Sequence, residues 1–201
     1  MTNPTVVVGQ WVRPLAGAAV GALGLLAALA LGGCAGQEES ESGGGTVAGS
    51  LRTGADETDW CLEIAVGSDV TFSATVLQNT GEDDLVLTGV ELVDPAGLEL
   101  LDGVVVPGSD RGGIGNLPGW PPADSVLAAD GLLDSWEQRM SADDALLRRA
   151  GDSPEHVLVL GLRRTADDGP ASFGSLVMRY SQDGEEYRTS VPTSLRLADT
   201  C

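Results

Sequence analysis

Asp69-Val70-Thr71-Phe72-Ser73-Ala74-Thr75-Val76 alternates polar and apolar side chains at every step, the pattern of a strand with one buried face and one solvated face. Val70, Phe72, Ala74 and Val76 are expected on the core side, with Asp69, Thr71, Ser73 and Thr75 on the other. Asn79-Thr80-Gly81 opens a turn, and Leu85 to Val93 resumes as a strand with Gly89 placed for a bulge. Asp94-Pro95-Ala96-Gly97 breaks the chain before another apolar run, Leu98 to Val106. Val157 to Leu162 is apolar almost without interruption and suits a central strand.

The C-terminal section predicts a hairpin. Gly174 to Gln182 and Glu185 to Val191 flank Asp183-Gly184, two residues that tolerate the positive φ of a type I′ turn. That register sets Tyr180 opposite Tyr187 and Arg179 opposite Arg188, with Glu186 the diagonal acid available to the arginine pair. Pro192 ends the pairing, and Thr193 to Leu197 is expected as an edge segment.

Pro107 to Gly151 reads less clearly. Gly108 to Pro122 is rich in glycine and proline and is expected as a long loop, of the kind that is more often functional or disordered than neutral. Ser141-Ala142-Asp143-Asp144 has the form of a helix cap before Ala145 to Ala150; a short strand from Ala145 to Arg149 is the alternative. The fold class expected is mainly β, an antiparallel β-sandwich with a long loop and one short helix.

Charge bounds the function. The chain of 201 residues carries 30 acidic and 11 basic residues, the latter all arginine, for a net charge of −19. A nucleic-acid surface is excluded, because every phosphate contact would work against the repulsion of the whole domain. The acids are unevenly placed: residues 1–33 contain Arg13 and neither Asp nor Glu. After Arg13, Leu15 to Leu31 runs without a polar side chain, followed by Gly32, Gly33 and Cys34. A basic start, an apolar core and a small-residue end describe a secretory signal, and an N-terminal signal helix is expected there. An apolar run of that length also meets the lower limit for a membrane-spanning anchor, about 17 residues.

Leu31-Gly32-Gly33-Cys34 resembles the lipobox of bacterial lipoproteins, in which the cysteine thiol carries a diacylglycerol and the preceding peptide bond is cut. Gly32 departs mildly from the usual Ala or Ser. The resemblance implies lipidation at Cys34, palmitate-type acylation and a location on the outer face of the cell membrane, with the membrane itself as one partner through the lipid. Ala35 to Ser50 is too polar to bury anything and reads as a tether. The expected organisation is therefore a signal peptide at 1–33, an acidic Gly/Ser/Glu tether at 34–58 and a β-sandwich domain at 59–201. With one cysteine spent on lipid, Cys61 and Cys201 remain, and in an oxidising exterior they are expected to form a disulfide. Such a bridge would clamp the two ends of the domain near the point where the tether joins. The folded part looks like an immunoglobulin-like domain of exported actinobacterial lipoproteins, with Trp60 beside Cys61 instead of between the two cysteines.

Few residues offer chemistry. His156 is the sole histidine, and Gly151-Asp152-Ser153 lacks the partners that a serine esterase or a trypsin-like protease would need. The pairs Asp83/Asp84, Asp143/Asp144 and Asp167/Asp168 belong to no calcium-loop pattern and read as solvated turns. The expectation is no enzyme, no cofactor and no metal. What remains are surfaces: Ile114, Leu117 and Trp120 either present an apolar anchor to a partner or fold back as a lid over one end of the sandwich, while Trp136 reads as core. The leading expectation is a lipid-anchored binding or scaffolding module contacting another envelope protein. The runner-up is a small-ligand or divalent-ion-binding accessory domain of a transport or sensing system.

Overall fold

A computed structural model describes residues 49–54, 57–108, 114–151 and 155–201. The leader, Cys34, most of the expected tether and residues 152–154 of the Gly-Asp-Ser stretch lie outside the described residues. In chain order the elements are β1 (Leu51–Thr53), β2 (Thr58–Glu63), β3 (Asp69–Asn79), β4 (Leu85–Val93), β5 (Leu98–Pro107) and β6 (Leu117–Pro118). Helices α1 (Asp124–Asp130) and α2 (Leu133–Glu137) come next, then β7 (Met140–Ser141), β8 (Leu146–Leu147) and β9 (His156–Arg164). The chain ends with β10 (Ala171–Phe173), β11 (Ser175–Gln182), β12 (Glu185–Val191) and β13 (Thr193–Ala198).

The uninterrupted run at β9 is central, as its composition requires: it pairs antiparallel with β3 on one side and β5 on the other. This sheet runs β1-β3-β9-β5-β7, with β6 also on β3; facing it are β12-β11-β4-β8 and the short sheet β10-β13-β2. The orders β1-β3-β9-β5 and β4-β11-β12 reproduce the A-B-E-D and C-F-G orders of the immunoglobulin sandwich, so the fold is an immunoglobulin-like β-sandwich. Phe72, Leu158, Leu160 and Leu162 meet Leu87, Met178 and Tyr180 across the gap in the principal core.

The hairpin forms in the expected register, with Tyr180 opposite Tyr187 and Arg179 opposite Arg188. Asp183 and Gly184 take positive φ, 54° and 80°, as a type I′ turn demands. The tyrosine rings stack at 5.2 Å. The acid that relieves the arginines is not Glu186 but Glu91 of β4, 2.7 Å from Arg179 and 3.8 Å from Arg188. Cross-sheet neighbours on a third strand are invisible to hairpin register alone. The register shift on β4 falls between Leu87 and Gly89, where the glycine is expected to permit it.

Four expectations are corrected. The capping pattern at Ser141 closes a turn instead of a helix: Asp144 N donates to Ser141 O, and Leu147 pairs with Leu85 in the core as the alternative strand β8. The helices lie earlier, at α1 and α2. β13 is no edge, since it pairs with β10 and with β2 on its two sides, the chain crossing at Pro192 from the β12-β11-β4-β8 sheet to the short one. Leu51–Thr53, within the segment read as tether, pairs with β3 and buries Leu51, so the sandwich begins before Asp59.

The fourth correction concerns the disulfide. Cys61 and Cys201 are joined, across a sequence separation of 140. The bridge does not sit where the chain joins the domain. Ser50 lies beside Thr80 at one end of β3, whereas the C-terminal tail is held at the other end, where Arg164 N donates to Ser68 O and the Arg164 guanidinium binds Ile64 O and Asp199. At roughly 3.3 Å per residue, the 11 residues of β3 separate these poles by about 35 Å. Because β2 runs parallel to β13 toward the far pole, the clamp fastens the domain away from the Ser50 pole.

Candidate functional site

Ile114, Leu117 and Trp120 do not form an exposed anchor. Ile114 is buried, and Leu117 and Trp120 pack with Val104, Val106, Leu127, Leu132, Trp136 and Val159 in a second apolar cluster on the outer face of the β3-β9-β5 sheet. The segment is sewn to β3: Gly119 N donates to Asp69 O, Thr71 Oγ1 to Gly119 O, and Ser73 Oγ to Gly115 O. The Trp120 indole lies over Gly161, on which no side chain intervenes, and meets Trp136 edge-on at 5.6 Å. Arg139 covers the outer side of Trp136 at 4.9 Å. Trp120 is thus a lid, over a sheet face and not over an end of the sandwich, and Trp136 is core as expected.

This lid explains why β9 is buried on both faces, Leu158, Leu160 and Leu162 inward and Val157 and Val159 outward. It also leaves one part of the β3 edge without a paired strand. β6 pairs with Val70 and Thr71, β1 pairs with Leu77 to Asn79, and the stretch Ser73 to Val76 lies between them. The register against β9 slips there, so Ala74 is an extra residue in the ladder. The slip turns Val76 outward, 38% exposed, and Leu77 inward, fully buried. The strict alternation that placed Val76 in the core is therefore broken by one residue, and alternation alone gives no sign of it, because Thr75-Val76-Leu77 fits either phase.

A notch of about 390 Å³ opens at this slip, where the first strand leaves one sheet at Gly54 and joins the other at Thr58. Trp60, Ala74, Val76 and Val157 supply its apolar walls. Trp60 is braced edge-on by Phe72, with ring centroids 6.3 Å apart. The polar groups are uncharged: Thr75 Oγ1 donates to Val76 O, Thr193 Oγ1 to Ala74 O across the two sheets, and Asn116 Oδ1 accepts from Ser73 N. Among the described residues, no ionisable side chain lines the notch. In a chain with 30 acids, that is the property that sets this surface apart.

The charged surface near Ser50 behaves differently. Glu82, Asp83, Asp84 and Asp183 gather with Arg148 and Arg149 in an open polar depression. Partial loss of solvent, then the neighbouring Asp83 carboxylate, raises the Asp183 pKa above its ordinary value. Among the described residues no group of three or more His, Cys, Asp or Glu is arranged to hold a metal ion. His156 is buried at the start of β9, paired in register with Leu77 and Pro107.

No protein-family model matches the chain, and no curated protein matches it. Among solved structures it is similar to the ASH / PapD-like domain of human CEP192 (PapD-like domain 7), with a TM-score of 0.37 and 12% identity, covering 75% of this chain and 87% of that one.

Proposed function

We propose that this chain is a non-catalytic binding module, held on the outer face of a cell membrane by a lipid on Cys34, and that it holds another component of the envelope at the notch beside Val76. The notch, uncharged in its described lining, carries the binding reading. A pocket of about 300–1,000 Å³ with apolar walls and a few fixed polar groups is the usual form of a ligand site, and this one is about 390 Å³. The anchor rests on Leu31-Gly32-Gly33-Cys34 and the polar tether behind it. The Cys61–Cys201 bridge supports an oxidising compartment.

The geometry suits such an arrangement. A tether would join at the pole of Ser50, where Glu82, Asp83, Asp183 and Glu185 are exposed and would be repelled by anionic headgroups. The notch lies on the flank of the domain, part-way along β3. A photo-crosslinking residue placed at Val76 in native membranes is expected to capture a discrete species that a probe at the exposed hairpin position Glu186 does not. Identical products from both positions, or none from Val76, would count against the notch as the binding surface.

A further inference from the structure

From the chemistry of the notch we infer its ligand class: one ring of an uncharged, hydroxyl-rich molecule, a neutral glycan unit. The inference rests on the reading of the notch as a binding site and adds to it what the notch takes.

Shape comes first. The β3 edge is already paired by β6 on one side of the gap and by β1 on the other, so an added strand has no room to run along it. In the stretch between those ladders, Ser73 N already donates to Asn116 Oδ1, Ala74 O accepts from Thr193 Oγ1 and Val76 O accepts from Gly54 N, and the bulge at Ala74 further spoils the ladder a peptide backbone would need. What fits is a compact group entering side-on.

Charge is the second criterion. With no ionisable side chain among the described lining residues, a charged ligand would give up water there without a counter-ion from them, and the surrounding acids add repulsion for any anion. A neutral ligand pays neither penalty.

Hydrogen-bonding polarity decides between a hydroxylated ring and a plain apolar one. The hydroxyl protons of Ser73, Thr75 and Thr193 are committed to the backbone carbonyls of Gly115, Val76 and Ala74. Their oxygens therefore meet a ligand as acceptors. Asn116 is fixed by accepting from Ser73 N, which orients its amide and leaves N–H groups to donate. A ring bearing hydroxyls answers both demands, donating to the Ser/Thr oxygens and accepting from Asn116. A phenyl or isobutyl side chain from a partner would bury the same groups without partners. The braced indole of Trp60 and the exposed Val76 give the ring's C–H face an apolar wall.

The test uses the full chain in a detergent without a sugar headgroup, titrated with maltotriose, chitotriose and mannotriose, and with trigalacturonate and acetyl-Ala-Phe-Ala-amide beside them. Saturation-transfer NMR reads the ligand, and tryptophan fluorescence reads the protein. At least one neutral trisaccharide is expected to bind saturably with Kd near or below about 1 mM, with transfer to ring C–H protons, and trigalacturonate is not. Trp60→Ala is expected to weaken binding at least about tenfold; Thr75→Val, which keeps the β-branched shape and removes one acceptor, is expected to weaken it several-fold with an unchanged circular dichroism spectrum. Absence of saturable binding by all three neutral sugars, or binding that ignores both substitutions, overturns the glycan assignment. Binding of the phenylalanine peptide in their place overturns it too but leaves the notch a binding site. Failure of every probe together with no Val76 crosslink sinks the site itself.

Discussion

The indole of Trp120 occupies the space that a side chain on Gly161 would need. Gly161 sits in the middle of β9, paired with Thr71 on one strand and Asp102 on the other, so its backbone has no freedom to retreat. Gly161→Ala is expected to lift Trp120 from the sheet and cost about 2–3 kcal/mol, in the range of overpacked cores. Urea unfolding measures the loss, and a red-shifted tryptophan emission in the folded variant reports the displaced lid. An unchanged midpoint would mean that the lid does not press on β9.

The Arg164 guanidinium is 2% exposed at its side chain and is bound at 2.8 Å by Asp199, which is itself largely exposed. The hydrogen bond from Arg164, then its charge, holds the Asp199 carboxyl below its ordinary pKa. A depressed carboxyl pKa stabilises the fold at pH values above the unfolded value, near 3.9, and that contribution is lost as the pH falls through the folded value. Asp199→Asn is therefore expected to lower stability at pH 7 and to show a weaker further loss on acidification below about pH 4 than the unsubstituted chain. Denaturant midpoints at pH 7 and in acid read both effects; parallel curves would contradict the pairing.

Asp183 has the opposite sign. Its carboxyl is raised by partial loss of solvent and by Asp83, so its ionised form opposes folding once the pH exceeds its unfolded pKa. Asp183→Asn removes that charge and keeps a residue suited to positive φ before Gly184. A higher Tm is expected at pH 7, and the gain should shrink toward pH 3, where the unsubstituted carboxyl is protonated. A lower Tm at pH 7 would contradict the assignment.

The disulfide closes a loop of 140 residues. In the chain-entropy picture a loop of that size contributes up to about 5 kcal/mol. Cys61→Ser with Cys201→Ser is expected to lose most of it, and proteolysis should then begin at the far-pole segment after Ala198, which the bridge and Arg164 hold together. Cleavage first at the Ser50 pole would place the clamp's effect at the wrong end.

What the sequence made legible was local. Asp183-Gly184 settled a hairpin register because turn type and strand phase are fixed within a few residues, and two of three cysteines became a pair once the third was assigned elsewhere. Non-local features were harder to read. The bulge at Ala74 hides because Val76 and Leu77 are interchangeable in an alternating pattern; only the strands that cap β3 on either side decide which faces inward. Gly108 to Pro122, which includes the first part of the lid, reads as loop because glycine and proline mark its turns; farther on, Gly131 just after Asp130, with φ 69°, is the residue expected to end a helix there. A strand as evenly apolar as β9 already demanded cover on its outer face, and that demand was the available sign of the lid. The notch had no sequence signature, since its walls come from five separate stretches of chain.

The central claim is that this sandwich works as a lipid-anchored exterior module. Intact-mass and N-terminal peptide mass spectrometry of the membrane-extracted protein tests it most directly. The account predicts a chain that begins at Cys34, with a diacylglyceryl group on its thiol; a mature protein that retains residues 1–33 with Cys34 unmodified would contradict it.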